Sequence, residues 1–171
     1  MKKIILLGYM GCGKSTVAKI ISKKLQLVHI DLDEIIEKTV GLPITELFAK
    51  KGEIYFRKLE HQLLIETVAQ RQDFVLSLGG GTPCYYNNHE VFDEQDVISF
   101  YLKASIETLF SRLNSQKSQR PLIATLDEVS LKEFIAKHLF DRSFYYHKAR
   151  FVIDANTGPE ETAAAILNYL T

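Results

Sequence analysis

Gly8-Tyr9-Met10-Gly11-Cys12-Gly13-Lys14-Ser15 restricts the fold of this chain more than any other segment. It is a full match to G-x-x-x-x-G-K-[ST], set between the apolar run of residues 4–7 and a helical pattern over Lys14–Leu25. That order requires a buried strand, a turn whose glycines let backbone N–H groups converge, and a helix whose positive end faces an anion. Lys14 then reaches the β/γ-phosphates of a nucleotide, and the Ser15 hydroxyl ligates Mg²⁺. An isolated chance turn lacks this strand–loop–helix context.

The rest of the chain repeats the alternation. Strands are expected at 3–7, 28–31, 74–78, 97–102 and 151–153. Helices are expected at 14–25, 32–39, 43–50, 53–70, 106–113, from Ser130 towards His147, and at 160–170. Alternating β and α segments imply an α/β fold around a parallel sheet. Gly52 should separate two helices, Ser105 should cap a third, and Ser130-Leu131-Lys132-Glu133 has capping-box spacing. Residues 114–121 are polar and aperiodic, and end at Pro121. A loop this long inside a domain is usually a functional one, often a lid.

Composition limits the partners. The 171 residues carry 21 Lys+Arg and 21 Asp+Glu, so no basic excess favours nucleic acid, and an anionic ligand needs local charge. The apolar run near the start is too short for a signal peptide or a membrane span. Two cysteines are too few for a disulfide framework, and both read as reduced thiols of a cytoplasmic protein.

Several further residues suit phosphoryl transfer. Asp31 and Asp33 stand at the C-terminal end of the second strand, where open α/β sheets bind ligands. One can organise Mg²⁺ through water while the other takes a proton from an acceptor hydroxyl, although an Asp here also caps a helix well. No aspartate ends the 74–78 strand, which leaves the metal role to Asp31. Gly79-Gly80-Gly81 lets a small ligand approach the backbone, or is an ordinary turn. Arg57 shares a helix face with Glu53 and Glu60, as a solvated charge ladder or as an anion fork. Arg120 and Arg142 are further candidate forks. These residues together describe a Mg²⁺-dependent phosphotransferase acting on a small polar acceptor.

In order, residues 8–16, Asp31-Leu32-Asp33, Glu46-Leu47-Phe48, Gly52-Glu53, Phe56-Arg57, Glu60, the triple glycine, Arg120-Pro121-Leu122 and Arg142 resemble the shikimate kinases. The resemblance implies a three-layer αβα P-loop fold with a five-stranded parallel sheet. It also implies one kinase domain over residues 1–171, with a substrate-binding subdomain at about 32–60 and a lid at about 112–124. The implied reaction is ATP plus shikimate giving ADP and shikimate 3-phosphate, on the route to chorismate and aromatic amino acids. By the same resemblance Gly11, Cys12, Gly13, Lys14, Ser15, Thr16, Arg112, Arg120 and Asn156 bind nucleotide. Asp33, Phe48, Phe56, Arg57, Gly79, Gly80, Gly81 and Arg142 bind shikimate. Lys14, Asp33 and Arg120 are catalytic, and Ser15 with Asp31 (through water) serves the metal. A cytoplasmic monomer with small-molecule partners only, and neither nucleic acid nor membrane, is expected. One departure is in spacing: Tyr146 follows Arg142 by four residues, but Ala149 comes one residue early. Gluconate kinase and a non-catalytic nucleotide-binding paralog are the alternatives.

Overall fold

Five parallel strands stand in the order β2-β3-β1-β4-β5 in the computed structural model, which describes residues 2–170. The strands are β1 (Lys3–Leu7), β2 (Val28–Asp31), β3 (Phe74–Ser77), β4 (Val97–Lys103) and β5 (Phe151–Asp154). The helices are α1 (Lys14–Leu25), α2 (Leu32–Val40), α3 (Ile44–Val68), α4 (Ile106–Ser115), α5 (Glu128–Tyr146) and α6 (Pro159–Leu167). Helices flank the sheet, so the expected α/β architecture is observed.

Topology decides where a ligand goes. β1 pairs with β3 on one side and β4 on the other, so every residue of this central strand is buried. Such a strand reads as an unbroken apolar run because both of its faces are covered. Lys3 is the exception, and its ammonium meets the Asp96 carboxylate at 2.8 Å. From β1 the chain crosses to β2, and from β3 it jumps back over β1 to β4. A crevice opens outside the carboxyl ends of the strands where the order reverses. The glycine loop leaves β1 at that point.

Local differences from expectation have local causes. The two helices around Gly52 run almost end to end as α3, broken only where Gly52 takes φ +81°. α5 begins at Glu128, ahead of Ser130, because Asp127 is the cap: its Oδ1 accepts from the Ser130 N–H at 2.7 Å. The capping box therefore lies inside the helix. Ser105 caps α4 as expected, accepting from the Thr108 N–H at 3.1 Å. The polar stretch is not structureless. α4 runs on to Ser115, a 3₁₀ turn covers Lys117–Gln119, and fully buried Ile123 anchors the turns after Arg120 to the core. α6 ends at Leu167, three residues early.

Candidate active site

The glycine loop wraps from β1 into α1. Gly8 has φ +145°, and a side chain there would begin 2.7 Å from the Leu102 carbonyl oxygen, so only glycine fits. The Lys14 ammonium donates to the carbonyls of Gly8 (2.7 Å) and Tyr9 (3.0 Å), which holds it at the loop's mouth. Residues 11–16 line a cavity of about 420 Å³ that also takes in Asp31, Asp33, Arg112, Arg120 and Thr157. Ser15 Oγ donates to Asp31 Oδ2 at 3.1 Å, while Asp31 Oδ1 accepts from the Asp33 N–H at 3.0 Å. Asp31 therefore caps α2 with one oxygen and meets the phosphate-site serine with the other. The cap is observed, and it leaves the second oxygen beside Ser15.

Arg112 ties this cavity's rim together. It donates to the carbonyls of Gly11 (3.3 Å), Ala155 (2.9 Å) and Thr157 (2.9 Å). The Asn156 side chain is engaged elsewhere, its Oδ1 accepting from the Ser105 N–H and the Thr108 hydroxyl, both at 2.8 Å. Its neighbours Thr157 and Pro159 face the cavity instead.

A second cavity of about 370 Å³ adjoins the first and draws on widely separated residues: Phe48, Phe56, Arg57, Gly79–Gly81, Arg120 and Arg142. The two phenylalanine rings lie 4.5 Å apart as an apolar wall. Arg57 is not part of a solvated ladder. Its side chain is only 11% exposed and donates to Glu60 Oε2 at 2.8 Å, and Glu60 is itself 1% exposed. Glu60 Oε1 accepts from the Thr82 hydroxyl at 2.7 Å, and the Tyr85 ring lies 4.1 Å from the guanidinium. A side chain on Gly81 would start 2.6 Å from Arg57 Nη2. The segment does turn, and the missing side chain lets the guanidinium press against the backbone there.

Asp33, Met10, Gly79, Gly80 and Arg120 line both cavities. Burial pushes the Asp33 carboxyl up to about 6, with the Asp31 and Glu60 carboxylates adding to the shift and Lys14 opposing it. A carboxylate poised near neutrality between two cavities suits proton transfer.

Comparison with known proteins decides the family. Residues 10–171 match the family model described as Shikimate kinase. A shikimate kinase of Flavobacterium johnsoniae is 54% identical over 171 residues, covering 99% of each chain. The chain belongs to the shikimate kinase family.

Among solved structures, the family's enzyme from Bacteroides thetaiotaomicron superposes with TM-score 0.92 at 33% identity, over 99% of this chain and 98% of that one. The Acinetobacter baumannii enzyme, solved in complex with shikimate, gives 0.87 at 30% identity, over 99% and 93%. Membership makes the chain a kinase with ATP as co-substrate.

Within this family frame, the site residues expected from sequence gather around the two cavities, apart from the Asn156 side chain. The early Ala149 is absorbed where α5 ends, since α5 closes at Tyr146 and Ala149 lies in the turn beyond. Arg142 therefore stays in the second cavity. Met10, Gln116 and Thr157 also line the site without having been singled out. Glu60 gave a signal in its i+3 spacing from Arg57, whereas Thr82 and Tyr85 gave none. Among the described residues, no helix is long and apolar enough to cross a membrane.

Proposed function

We propose a division of labour between the two cavities in the ATP-dependent phosphorylation of shikimate, the reaction of this family. ATP lays its phosphates in the loop cavity, shikimate occupies the second, and the phosphoryl group crosses between them beside Asp33. The observation that carries this reading is the shared wall: Asp33 and Arg120 line both cavities. Arg57 and Arg142 take the shikimate carboxylate, since guanidinium forks bind carboxylates through paired N–H groups. Phe48 and Phe56 cover the ring. Asp33 holds the 3-hydroxyl and accepts its proton as the new O–P bond forms and ADP leaves. Lys14 and Arg120 stabilise the charge on the moving phosphoryl group. The segment carrying Arg120 acts as the lid, and the region around α2 and the start of α3 as the acceptor-binding part.

Mg²⁺ belongs to the reading. The donors suit it: one hydroxyl and one carboxylate stand together at Ser15 and Asp31, 3.1 Å apart. No cluster of three or more His, Cys, Asp or Glu gathers among the described residues to hold a cation alone. Such a pair fits a hard cation that draws its remaining ligands from phosphates and water. Bound there, it would neutralise charge on the β- and γ-phosphates. Two free cysteines fit a reducing cytoplasm.

A coupled ADP-release assay with shikimate, gluconate or no acceptor tests the reading. Rapid release only with shikimate is expected. Release with gluconate, or none with any acceptor despite nucleotide binding, would overturn it.

A further inference from the structure

The phosphate loop works through its backbone, so the side chain of Tyr9 has no evident duty there. Yet Tyr9 is 1% exposed, and its hydroxyl is hydrogen-bonded to His138 Nδ1 at 2.8 Å. A phenylalanine would fill the same space without burying a polar group that must then find a partner. His138 lies on α5 one turn before Arg142, and Tyr146 lies one turn after it. At i, i+4 and i+8 the three share a face. That face meets both halves of the site. His138 holds Tyr9 of the loop, the Tyr146 hydroxyl donates to the Gly80 carbonyl at 2.6 Å, and Arg142 stands between them, 5.7 Å from the Tyr9 ring centroid.

We propose that the Tyr9–His138 hydrogen bond is a positioning device for Arg142, fixing α5 to the phosphate loop so that the acceptor's carboxylate is held in register with the phosphates. The proposal rests on Arg142 being a carboxylate ligand, as read above. Among the described residues Arg142 has no anchoring carboxylate comparable to the Glu60 that holds Arg57, so its place depends on the helix that carries it. Two hydrogen bonds, a turn to either side, tie that helix to loop and triple glycine. Both members of the Tyr9–His138 pair are neutral. Burial pushes the Tyr9 phenol up to about 12. Burial, aided by the Arg142 charge, lowers the His138 imidazole. The pair thus adds direction without competing for the carboxylate that Arg142 is to bind.

The test compares shikimate and ATP kinetics in Tyr9→Phe, Arg142→Ala and the double variant. Tyr9→Phe keeps the ring and removes only the hydroxyl. It should raise the shikimate KM roughly fivefold, a single hydrogen bond's worth, with kcat at saturating shikimate and the ATP KM changed less than about twofold. In the Arg142→Ala background the same substitution should add nothing, because residues that act as a unit are non-additive. His138→Gln, which can still bond the phenol, should stay near wild type, while His138→Leu repeats the Tyr9→Phe result. An unchanged shikimate KM in Arg142→Ala would overturn the reading of Arg142. A raised KM there, with Tyr9→Phe silent, additive or equally harmful to ATP binding, would overturn the positioning role alone.

Discussion

The two cavities that meet at Asp33 are built from different material. The phosphate side is largely backbone, made by consecutive residues of the loop between β1 and α1. The acceptor side is made mostly of side chains carried by α2, α3, the segment after α4, and α5, set against the backbone of the triple glycine. Backbone N–H groups need only the right local conformation, so one short stretch can build a phosphate cradle. Side chains from four places converge only when the whole sheet is assembled, and each then needs something to hold it. Arg57 leans on Glu60 and Tyr85, while among the described residues the Arg120 side chain makes just a 3.3 Å contact with Gln116 Oε1. The phosphate side should therefore fail as a unit, and the acceptor side piece by piece.

Lys14→Ala should have the largest effect. It removes the cation at the loop's mouth, and losing one such transition-state contact costs about 10²–10³ in kcat. A folded variant with near-normal turnover would break the contrast, since the phosphate side would then tolerate piecemeal loss. Arg120→Ala comes next, because Arg120 borders both cavities. Its kcat should fall by about 10², with thermal stability barely moved, as a weak, exposed side-chain contact contributes little. A clear drop in Tm would show that the segment supports the core rather than the chemistry.

Arg57→Lys sharpens the other half. Charge is kept but the planar fork is lost, so the shikimate KM should rise about tenfold at saturating ATP while the ATP KM stays put. Equal changes in both would mean that the cavities do not act as separate subsites.

This contrast also explains what is legible in the sequence. The glycine loop is legible because its conformation is encoded contiguously, and the strands because parallel burial leaves unbroken apolar runs such as residues 4–7. Arg57 is ambiguous there, because i+3 and i−4 acidic neighbours look the same on a solvated face as beside a buried ligand. The structure shows Arg57 buried, paired with Glu60 and packed on Gly81, which lies twenty-four residues further along the chain and gives no spacing cue. Asn156 shows the opposite failure. Its loop does border the nucleotide cavity, but the Ser105 N–H draws the amide away and leaves Thr157 facing inward. The cap of α5 is misplaced by sequence because Asp127 and Ser130 are equally good caps, and only the backbone path chooses between them.

The smallest effect concerns what the meeting point of the two cavities costs the fold. The Asp33 carboxyl is raised from 3.8 to about 6, so the folded chain binds this proton more tightly than the unfolded chain does. Stability attributable to Asp33 is then lost as pH rises from about 4 to 6, and the full penalty is present above that range. A shift of this size corresponds to about 3 kcal/mol at most, and partial exposure of Asp33 reduces it to about 1–2 kcal/mol. Asp33→Asn keeps the shape and removes the charge. At pH 7.5 the variant should melt roughly 2–6 °C above wild type, although its turnover collapses for want of a base. At pH 4 the two should melt together, because the wild-type carboxyl is by then protonated. In wild type, kcat/KM should fall on the acid side with a midpoint near 6, reporting the same group in the free enzyme. A variant no more stable at pH 7.5, or a gap that persists at pH 4, would mean that Asp33 is comfortably solvated and that its place between the cavities costs the fold nothing.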